Sequence, residues 1–180
     1  MHRTVTRAGA LAIAVGLLAL AACAEAEAAD AVTDIATDDA PRVDPRALER
    51  FAGDWRGALT YLNYQEPFDY FTIPAEATVS VDGGKVTIAY RYPDEPQQNG
   101  ESTARLSKDG RAFDGQPIVS ATATDDAYAF VTRYACEDMG KKATCEMTYR
   151  AGAADLYIGK RVTYADGGDP FLRNEYRLAR

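Results

Sequence analysis

Histidine is almost absent from this chain of 180 residues, since its single histidine is His2, next to Met1. Histidine is the usual general base of Ser-His-Asp and Cys-His nucleophile pairs, and it supplies ligands to most catalytic zinc sites. If residue 2 is not part of the folded protein, these classes of site, and haem held by histidine, are excluded.

A long hydrophobic run is also missing. Ala8 to Ala22, the apolar run before Cys23, is 15 residues long, whereas a membrane-spanning helix needs about 20. Arg3 and Arg7 precede this stretch and small residues end it, which is the layout of an export signal. The N-terminal segment therefore predicts export rather than a permanent transmembrane anchor.

The segment Leu20–Cys23, with the sequence LAAC, resembles the lipobox of bacterial lipoproteins. The resemblance implies that residues 1–22 are a signal peptide and that Cys23 becomes the acylated N-terminus. Two or three acyl chains on one cysteine give stable membrane anchoring. Ala24 after the cysteine, rather than aspartate, implies sorting to the outer membrane, facing the periplasm, in an organism that has one. The alternative is ordinary secretion with cleavage at a nearby A-x-A, which would give a free soluble protein.

Cleavage before Cys23 would remove His2, so the mature chain would contain no histidine. It would leave 18 basic against 27 acidic residues, a net charge of −9, with the basic residues scattered. Such a chain is a poor candidate for binding nucleic acid or for a second, electrostatic membrane contact. We predict no cofactor and no metal site.

Two further cysteines, Cys136 and Cys145, remain in an oxidising compartment, and an even pair there indicates a disulfide. A four-residue hairpin loop over 139–142 would place the two cysteines directly opposite each other, near disulfide reach. A redox-active pair is disfavoured because the spacing is not C-x-x-C.

Residues 23–43 are rich in alanine and acidic residues and have no aromatic residue, which predicts a flexible tether, with a frayed helix as the alternative. The folded domain is predicted over 44–180, with Asp44-Pro45 starting a short helix that ends before Gly53. From Asp54 onward, apolar and polar residues alternate between short turns, as expected of antiparallel strands. About eight to nine strands are predicted, including a weak one over 112–121 that contains Pro117. The fold class is all-β, either an up-and-down barrel or a β-sandwich.

The stretch "FAGDWRGALTY" contains a G-x-W pattern, Gly53 and Trp55, between a helix end and the first strand. This pattern is similar to the start of lipocalin-like (calycin) barrels, in which the tryptophan closes the barrel's bottom. In those barrels an arginine on the final strand stacks over the tryptophan; Arg173 and Arg177 are the candidates here, and Arg173 is preferred. Residues 46–180 look like a bacterial family of uncharacterised lipocalin-like lipoproteins. The resemblance implies a barrel fold and an envelope location, and no established activity.

Tyrosine is abundant, and several of the 11 tyrosines fall in the apolar register of predicted strands. Buried tyrosine hydroxyls need hydrogen-bond partners, so the barrel interior is expected to be amphipathic. Lys160 occupies an apolar register position between Ile158 and Val162; it could anchor an acidic ligand group, or it could lie at a strand end, lie in a bulge or extend to the rim. The predicted ligand-lining residues are Tyr61, Tyr90, Lys160 and Tyr176.

These observations favour a membrane-anchored envelope lipoprotein that binds a small apolar or amphipathic molecule in a barrel cavity. The alternative is a structural or partner-binding envelope protein with a solid barrel. An enzyme is the least favoured class, because without histidine or a free thiol it would depend on carboxylates or tyrosine. The ligand's identity, the partner proteins and the oligomeric state are not determined by the sequence.

Overall fold

The computed structural model describes residues 40–180. Three predictions lie outside this range and remain predictions: the signal peptide, the acylation of Cys23 and all but the last residues of the tether. The first described element is a 3-10 helix, Pro45–Phe51. Asp44 caps it by accepting a 2.8 Å hydrogen bond from the Arg46 backbone N–H, as the Asp-Pro start signal predicts.

Ten strands follow the helix, and a short 3-10 turn, Pro96–Gln98, lies between the third and fourth. The strands are β1 (Gly53–Leu62), β2 (Tyr70–Asp82), β3 (Lys85–Arg91), β4 (Gly100–Arg105), β5 (Ala112–Phe113), β6 (Gln116–Ala123), β7 (Ala127–Asp138), β8 (Lys141–Gly152), β9 (Asp155–Tyr164) and β10 (Phe171–Ala179).

All ten strands belong to one antiparallel sheet in the order β4-β3-β2-β1-β10-β9-β8-β7-β6-β5. Every neighbouring pair is consecutive in the chain except β1 and β10. These are the first and last strands, and they pair with each other in the middle of this order. A single bridge between Leu106 and Phe113 links the two ends of this order. The architecture is thus a nearly closed up-and-down barrel, and the β-sandwich alternative is wrong.

The strand count exceeds the predicted eight to nine because the weak strand over 112–121 is in fact a hairpin. Asp114 and Gly115 both have left-handed backbone conformations, with φ of 51° and 73°, as a two-residue turn of type I′ requires. Asp-Gly is a preferred pair for that turn, so the sequence contained the signal. Pro117 lies in β6 opposite the two-residue strand β5, and a register shift follows it between Ile118 and Ser120.

The hydrophobic core lies inside the barrel and extends under the N-terminal helix. A large cluster includes Leu48 and Phe51 of the helix together with Trp55 and Phe130, and a small second cluster surrounds Cys145. Val43, which the sequence assigns to the tether, is also buried in the large cluster. Residues 40–180 lie in one compact unit. Because that unit contains its own hydrophobic core, it is expected to fold independently.

The structure contains the predicted disulfide, with Cys136 and Cys145 joined and their Cα atoms 5.8 Å apart. The predicted hairpin register is wrong, however. Asp138 pairs with Lys141, so the turn has two residues rather than four, and Cys136 faces Ala143 instead of Cys145. The shorter turn is possible because Met139 and Gly140 both adopt positive φ. The disulfide therefore joins the two strands diagonally.

Candidate functional site: a two-part barrel interior

The lower end of the barrel, where the N-terminal helix packs, is closed by Trp55. Its side chain is 1% exposed, and its indole N–H donates a 2.9 Å hydrogen bond to the Phe51 carbonyl. Gly53 has a φ of 133°, a conformation that favours glycine, and a Cβ there would lie 3.3 Å from the Arg180 guanidinium. The G-x-W pattern therefore marks the closed end, as the resemblance implies.

The arginine that covers Trp55 is Arg180, not Arg173. The Arg180 guanidinium carbon lies 4.1 Å from the centre of the Trp55 ring, and the side chain donates a 2.6 Å hydrogen bond to the Ala52 carbonyl. The preference for Arg173 was wrong because β1 and β10 are antiparallel. Arg56 pairs with Ala179, so Trp55 lies beside the C-terminal end of β10, whereas Arg173 lies near its start.

The alternation along β10 was a signal that could have identified Arg180. Tyr176 and Leu178 pack against the core, and Arg180 continues their register at a spacing of two residues. Arg177 has the opposite register, and it forms an ion pair with Glu175.

A cavity of about 210 Å³, here called the inner cavity, lies inside the barrel above the helix. Its wall is mostly apolar and aromatic, and Tyr90 is the predicted ligand-lining residue that belongs to it. The lining residues include Leu48, Phe51, Val79, Ile88, Tyr90, Ser102, Ala104, Asp114, Phe130, Met147, Tyr149 and Ile158.

A second cavity of about 320 Å³, here called the upper cavity, lies toward the opposite end. Two other predicted residues, Tyr61 and Tyr176, line it. The full set is Leu59, Tyr61, Ile73, Tyr92, Glu95, Gln98, Asn174 and Tyr176. The predicted tyrosines are thus inside the barrel, but they belong to two cavities.

A pair of stacked tyrosine rings separates the two cavities. Tyr90, from the inner cavity, and Tyr176, from the upper cavity, have ring centres 4.9 Å apart. The Tyr176 hydroxyl is also 2.6 Å from the Tyr92 hydroxyl. Burial raises the pKa of Tyr90 to about 12, and it raises the pKa of Tyr176 as well. Both hydroxyls are therefore protonated at neutral pH and can donate hydrogen bonds.

The inner cavity extends toward a gap in the barrel wall. Within residues 40–180, β4 pairs only with β3 over 100–104, and β7 pairs only with β8 above Thr132; at Arg105 the carbonyl accepts a 2.8 Å hydrogen bond from the Asp114 N–H. Asp114, in the turn between β5 and β6, lines the cavity on this side together with Ser102 and Ala104. The gap therefore connects an apolar interior with a polar rim.

Lys160 lies on the inner side of β9, in the register of the buried residues Leu156, Ile158 and Val162. It lines neither cavity, but it pairs with Met147 of the inner-cavity wall and with Asn174 of the upper-cavity wall. Lys160 is half-buried as a residue, and in the described part of the chain its ammonium has no hydrogen bond or ion pair. The lysine thus stands between the two cavities without a carboxylate partner.

The upper end of the barrel contains a buried charged cluster that sequence reasoning missed. Arg173 Nε lies 3.3 Å from Asp138 Oδ1, and these side chains are 12% and 3% exposed. Tyr64 donates a hydrogen bond to the same carboxylate, and Tyr164 donates one of 3.1 Å to Oδ2. Because Tyr64 and Asp138 are 74 residues apart, no local pattern could have joined them.

Residues 40–180 lack two kinds of feature. No three acidic, cysteine or histidine side chains are grouped so that they could hold a metal ion. No helix in this range has the length and apolar character that crossing a membrane requires.

The chain matches no family model and no curated protein sequence. Its fold is similar to that of Rv2717c from M. tuberculosis, with a TM-score of 0.51 and 12% sequence identity, over 75% of this chain and 95% of that one. A variant of the fluorescent protein UnaG is also similar, with a TM-score of 0.37 and 14% identity, over 74% of this chain and 96% of that one. Together with the strand order and the closed lower end, the first of these similarities shows that the chain has a calycin-like barrel fold.

Proposed function

We propose that this protein is a membrane-anchored envelope lipoprotein whose barrel binds one small apolar or amphipathic molecule. The observation that carries the proposal is the inner cavity, because a side-chain-filled barrel would leave no such space. At about 210 Å³ it is smaller than the roughly 300–1,000 Å³ of sites for drug-sized ligands. The ligand is therefore a small molecule or a short chain.

The two-part interior supports an amphipathic ligand. Its apolar part fits the inner cavity, where Phe130, Met147 and Ile158 form the wall. Its polar part lies at the boundary formed by Tyr90 and Tyr176, where Lys160 pairs with Met147 of the inner-cavity wall. An unpartnered lysine near the interior favours an anionic group at that position, because a ligand carboxylate would supply the missing counter-charge.

The membrane anchor in this proposal depends on the lipobox resemblance of Leu20–Cys23 and has no support from the described residues. An acidic chain with scattered basic residues is consistent with anchoring by acyl chains rather than by electrostatic attraction to lipids.

A partner-binding protein is the second candidate, and exposed apolar side chains at the upper end of the barrel favour it. We rank it lower because the barrel also contains a cavity. Enzymatic hydrolysis by paired carboxylates is disfavoured, since the inner cavity is lined by the single carboxylate Asp114 and the upper cavity by Glu95.

Titration calorimetry with octan-1-ol and octanoate tests the proposal on residues 40–180. Ala104 lines the inner cavity, so Ala104→Phe is expected to fill it and to weaken the binding of both compounds at least tenfold. Ala135→Phe is the matched control, because Ala135 is exposed on β7. If neither compound binds, or if both variants behave alike, the proposal is wrong.

The same titration tests the role of Lys160. We expect the unsubstituted domain to bind octanoate more tightly than octan-1-ol, and Lys160→Met to remove that preference while octan-1-ol binding persists. A charge-matched control is Lys108→Met, since Lys108 is exposed in a turn. A preference that survives in Lys160→Met would exclude this lysine as the anchor.

A further inference from the structure

Large apolar side chains that remain exposed are concentrated at the upper end of the barrel. Residues 40–180 expose six of them, and five lie on the β1–β2 connection, at the start of β2 or on the β7–β8 turn. These five, here called the upper patch, are Tyr64 (40% exposed), Phe68 (45%), Tyr70 (48%), Phe71 (47%) and Met139 (51%). The sixth, Val119, lies apart on β6.

The upper patch is held in place by the buried cluster beneath it. Arg173 packs 3.3 Å from the centre of the Tyr64 ring, and Tyr64 bonds to Asp138, the residue before Met139. The Tyr70 hydroxyl donates a 2.7 Å hydrogen bond to the Leu172 carbonyl. These aromatic side chains are therefore exposed on a fixed surface.

Two residues of the upper patch have backbone conformations that apolar side chains rarely adopt. Phe68 has a φ of 58° and Met139 a φ of 50°. Glycine, asparagine or aspartate adopts this left-handed conformation at a lower free-energy cost. Bulky side chains in such positions, and exposed to water, contribute little to folding. A functional contact accounts for both features.

The upper patch is continuous with the mouth of the upper cavity. Phe71 stacks on Tyr61 with ring centres 6.2 Å apart, and Tyr61 lines that cavity. A surface that covers the patch would therefore lie next to the opening through which an amphipathic molecule could pass.

We propose that the upper patch docks on a lipid bilayer with zwitterionic headgroups, where the barrel exchanges its ligand. Tyrosine and phenylalanine side chains suit the boundary between headgroups and acyl chains, because one end of tyrosine is apolar and the other polar. The exposed charges beside the patch are mainly acidic: Glu66 and Asp69 lie in one loop, Glu137 lies beside the other turn, and Lys141 is paired with Asp166 at 4.0 Å. This excess of acidic side chains disfavours an anionic membrane and is compatible with zwitterionic headgroups.

The chain outside the described residues is long enough to permit this orientation, a point that rests on the anchor in the proposed function. Ala40 lies 17 positions after Cys23, and a chain of that length can extend up to about 60 Å at roughly 3.5 Å per residue. The ten-residue strand β1 spans about 33 Å. The chain enters the barrel at its lower end, where the Val43 N–H bonds to the Gly110 carbonyl. An anchored barrel can therefore turn its upper end toward the same membrane.

Co-sedimentation of residues 40–180 with phosphatidylcholine vesicles tests the docking without the anchor. We expect measurable partitioning, and at least a tenfold weaker partition coefficient for Phe68→Ser/Met139→Ser. Val119→Ser, which removes the exposed apolar residue away from the patch, is expected to partition like the unsubstituted domain. Thermal unfolding of each variant checks that the fold is kept.

Brominated lipids provide an orientation test. A tryptophan introduced by Phe68→Trp should be quenched by them, whereas the native Trp55, at the lower end and 1% exposed, should not. Absence of partitioning, or equal partitioning of the double variant, would overturn the proposal. So would a dimer of the domain that the double substitution abolishes, because the patch would then bind a second copy. Octan-1-ol binding by the same samples shows separately whether the ligand-binding proposal stands.

Discussion

Asp138 and Arg173 form the most buried ion pair described in this barrel. Their burial is the reason why this pair is expected to contribute to stability. The carboxylate side chain is 3% exposed, and three groups contact it: Arg173, Tyr64 and Tyr164. By contrast, Arg133 and Glu146 form a surface pair whose side chains are 55% and 31% exposed. A buried charge that loses its partner is costly, whereas a surface pair contributes little.

Replacing Arg173 by methionine is therefore expected to lower the free energy of unfolding by about 3–5 kcal/mol, because Asp138 would be left buried without a cation. Urea denaturation of residues 40–180 measures the change. Arg133→Met is the matched control, with an expected loss below about 1 kcal/mol. Equal losses in the two variants would contradict this assignment, and Asp138→Asn added to Arg173→Met should restore part of the stability.

Among the elements, the β7–β8 hairpin shows which features local sequence can predict. The pairing of Cys136 with Cys145 was predictable from their number and from the predicted oxidising compartment. The register was not, because a two-residue and a four-residue turn fit the same sequence. Met139 at the first turn position is an uncommon choice, so nothing local pointed to the shorter turn. The Asp114-Gly115 hairpin is the opposite case. Its Asp-Gly turn signal is present in the sequence, but residues 112–121 were predicted as one weak strand.

The disulfide is expected to stabilise the barrel by restricting the unfolded chain. Its cysteines are nine residues apart, and closing so short a loop contributes about 2.5 kcal/mol in the chain-entropy account. Cys136→Ala/Cys145→Ala should lower the free energy of unfolding by that amount in urea denaturation. Because Cys145 is fully buried, the unsubstituted protein under reducing conditions serves as the comparison without a packing defect. A change below about 0.5 kcal/mol in both samples would show that the bond restricts little.

At the scale of the whole molecule, the predicted anchor and the barrel occupy separate parts of the chain. The barrel core begins at Val43, which is 2% exposed, and the predicted lipidation site lies 20 residues earlier. The upper patch and the closed lower end lie at opposite ends of the strands. In the proposed anchoring and docking, the tether length and the patch together would set the orientation of the barrel at the membrane.

Metabolic labelling with palmitate in a bacterium that has an outer membrane tests the anchor on the full chain. We expect label and protein in the membrane fraction, and loss of both in Cys23→Ala. The matched control is Cys136→Ala/Cys145→Ala, which changes two other cysteines and should keep the label. A soluble, unlabelled unsubstituted protein would instead support cleavage at a nearby A-x-A and free secretion.

The sequence by itself determined the features that depend on neighbouring residues. Alternation of period two indicated strands and Asp44-Pro45 indicated the helix start, while the closed end at G-x-W was implied by the resemblance to lipocalin-like barrels. The fold class followed, because strands joined by short turns can bury their apolar faces only in a barrel or a sandwich. Alternation also placed Tyr61, Tyr90 and Tyr176 inside the barrel.

Only the tertiary structure decided what depends on residues distant in the chain. Antiparallel pairing of the first and last strands put Arg180, not Arg173, over Trp55. The stacking of Tyr90 on Tyr176 divided the interior into two cavities, and the contact between Tyr64 and Asp138 brought two loops together as one apolar surface. Each of these contacts joins segments more than 70 residues apart, and sequence periodicity carries no information about which distant residues meet.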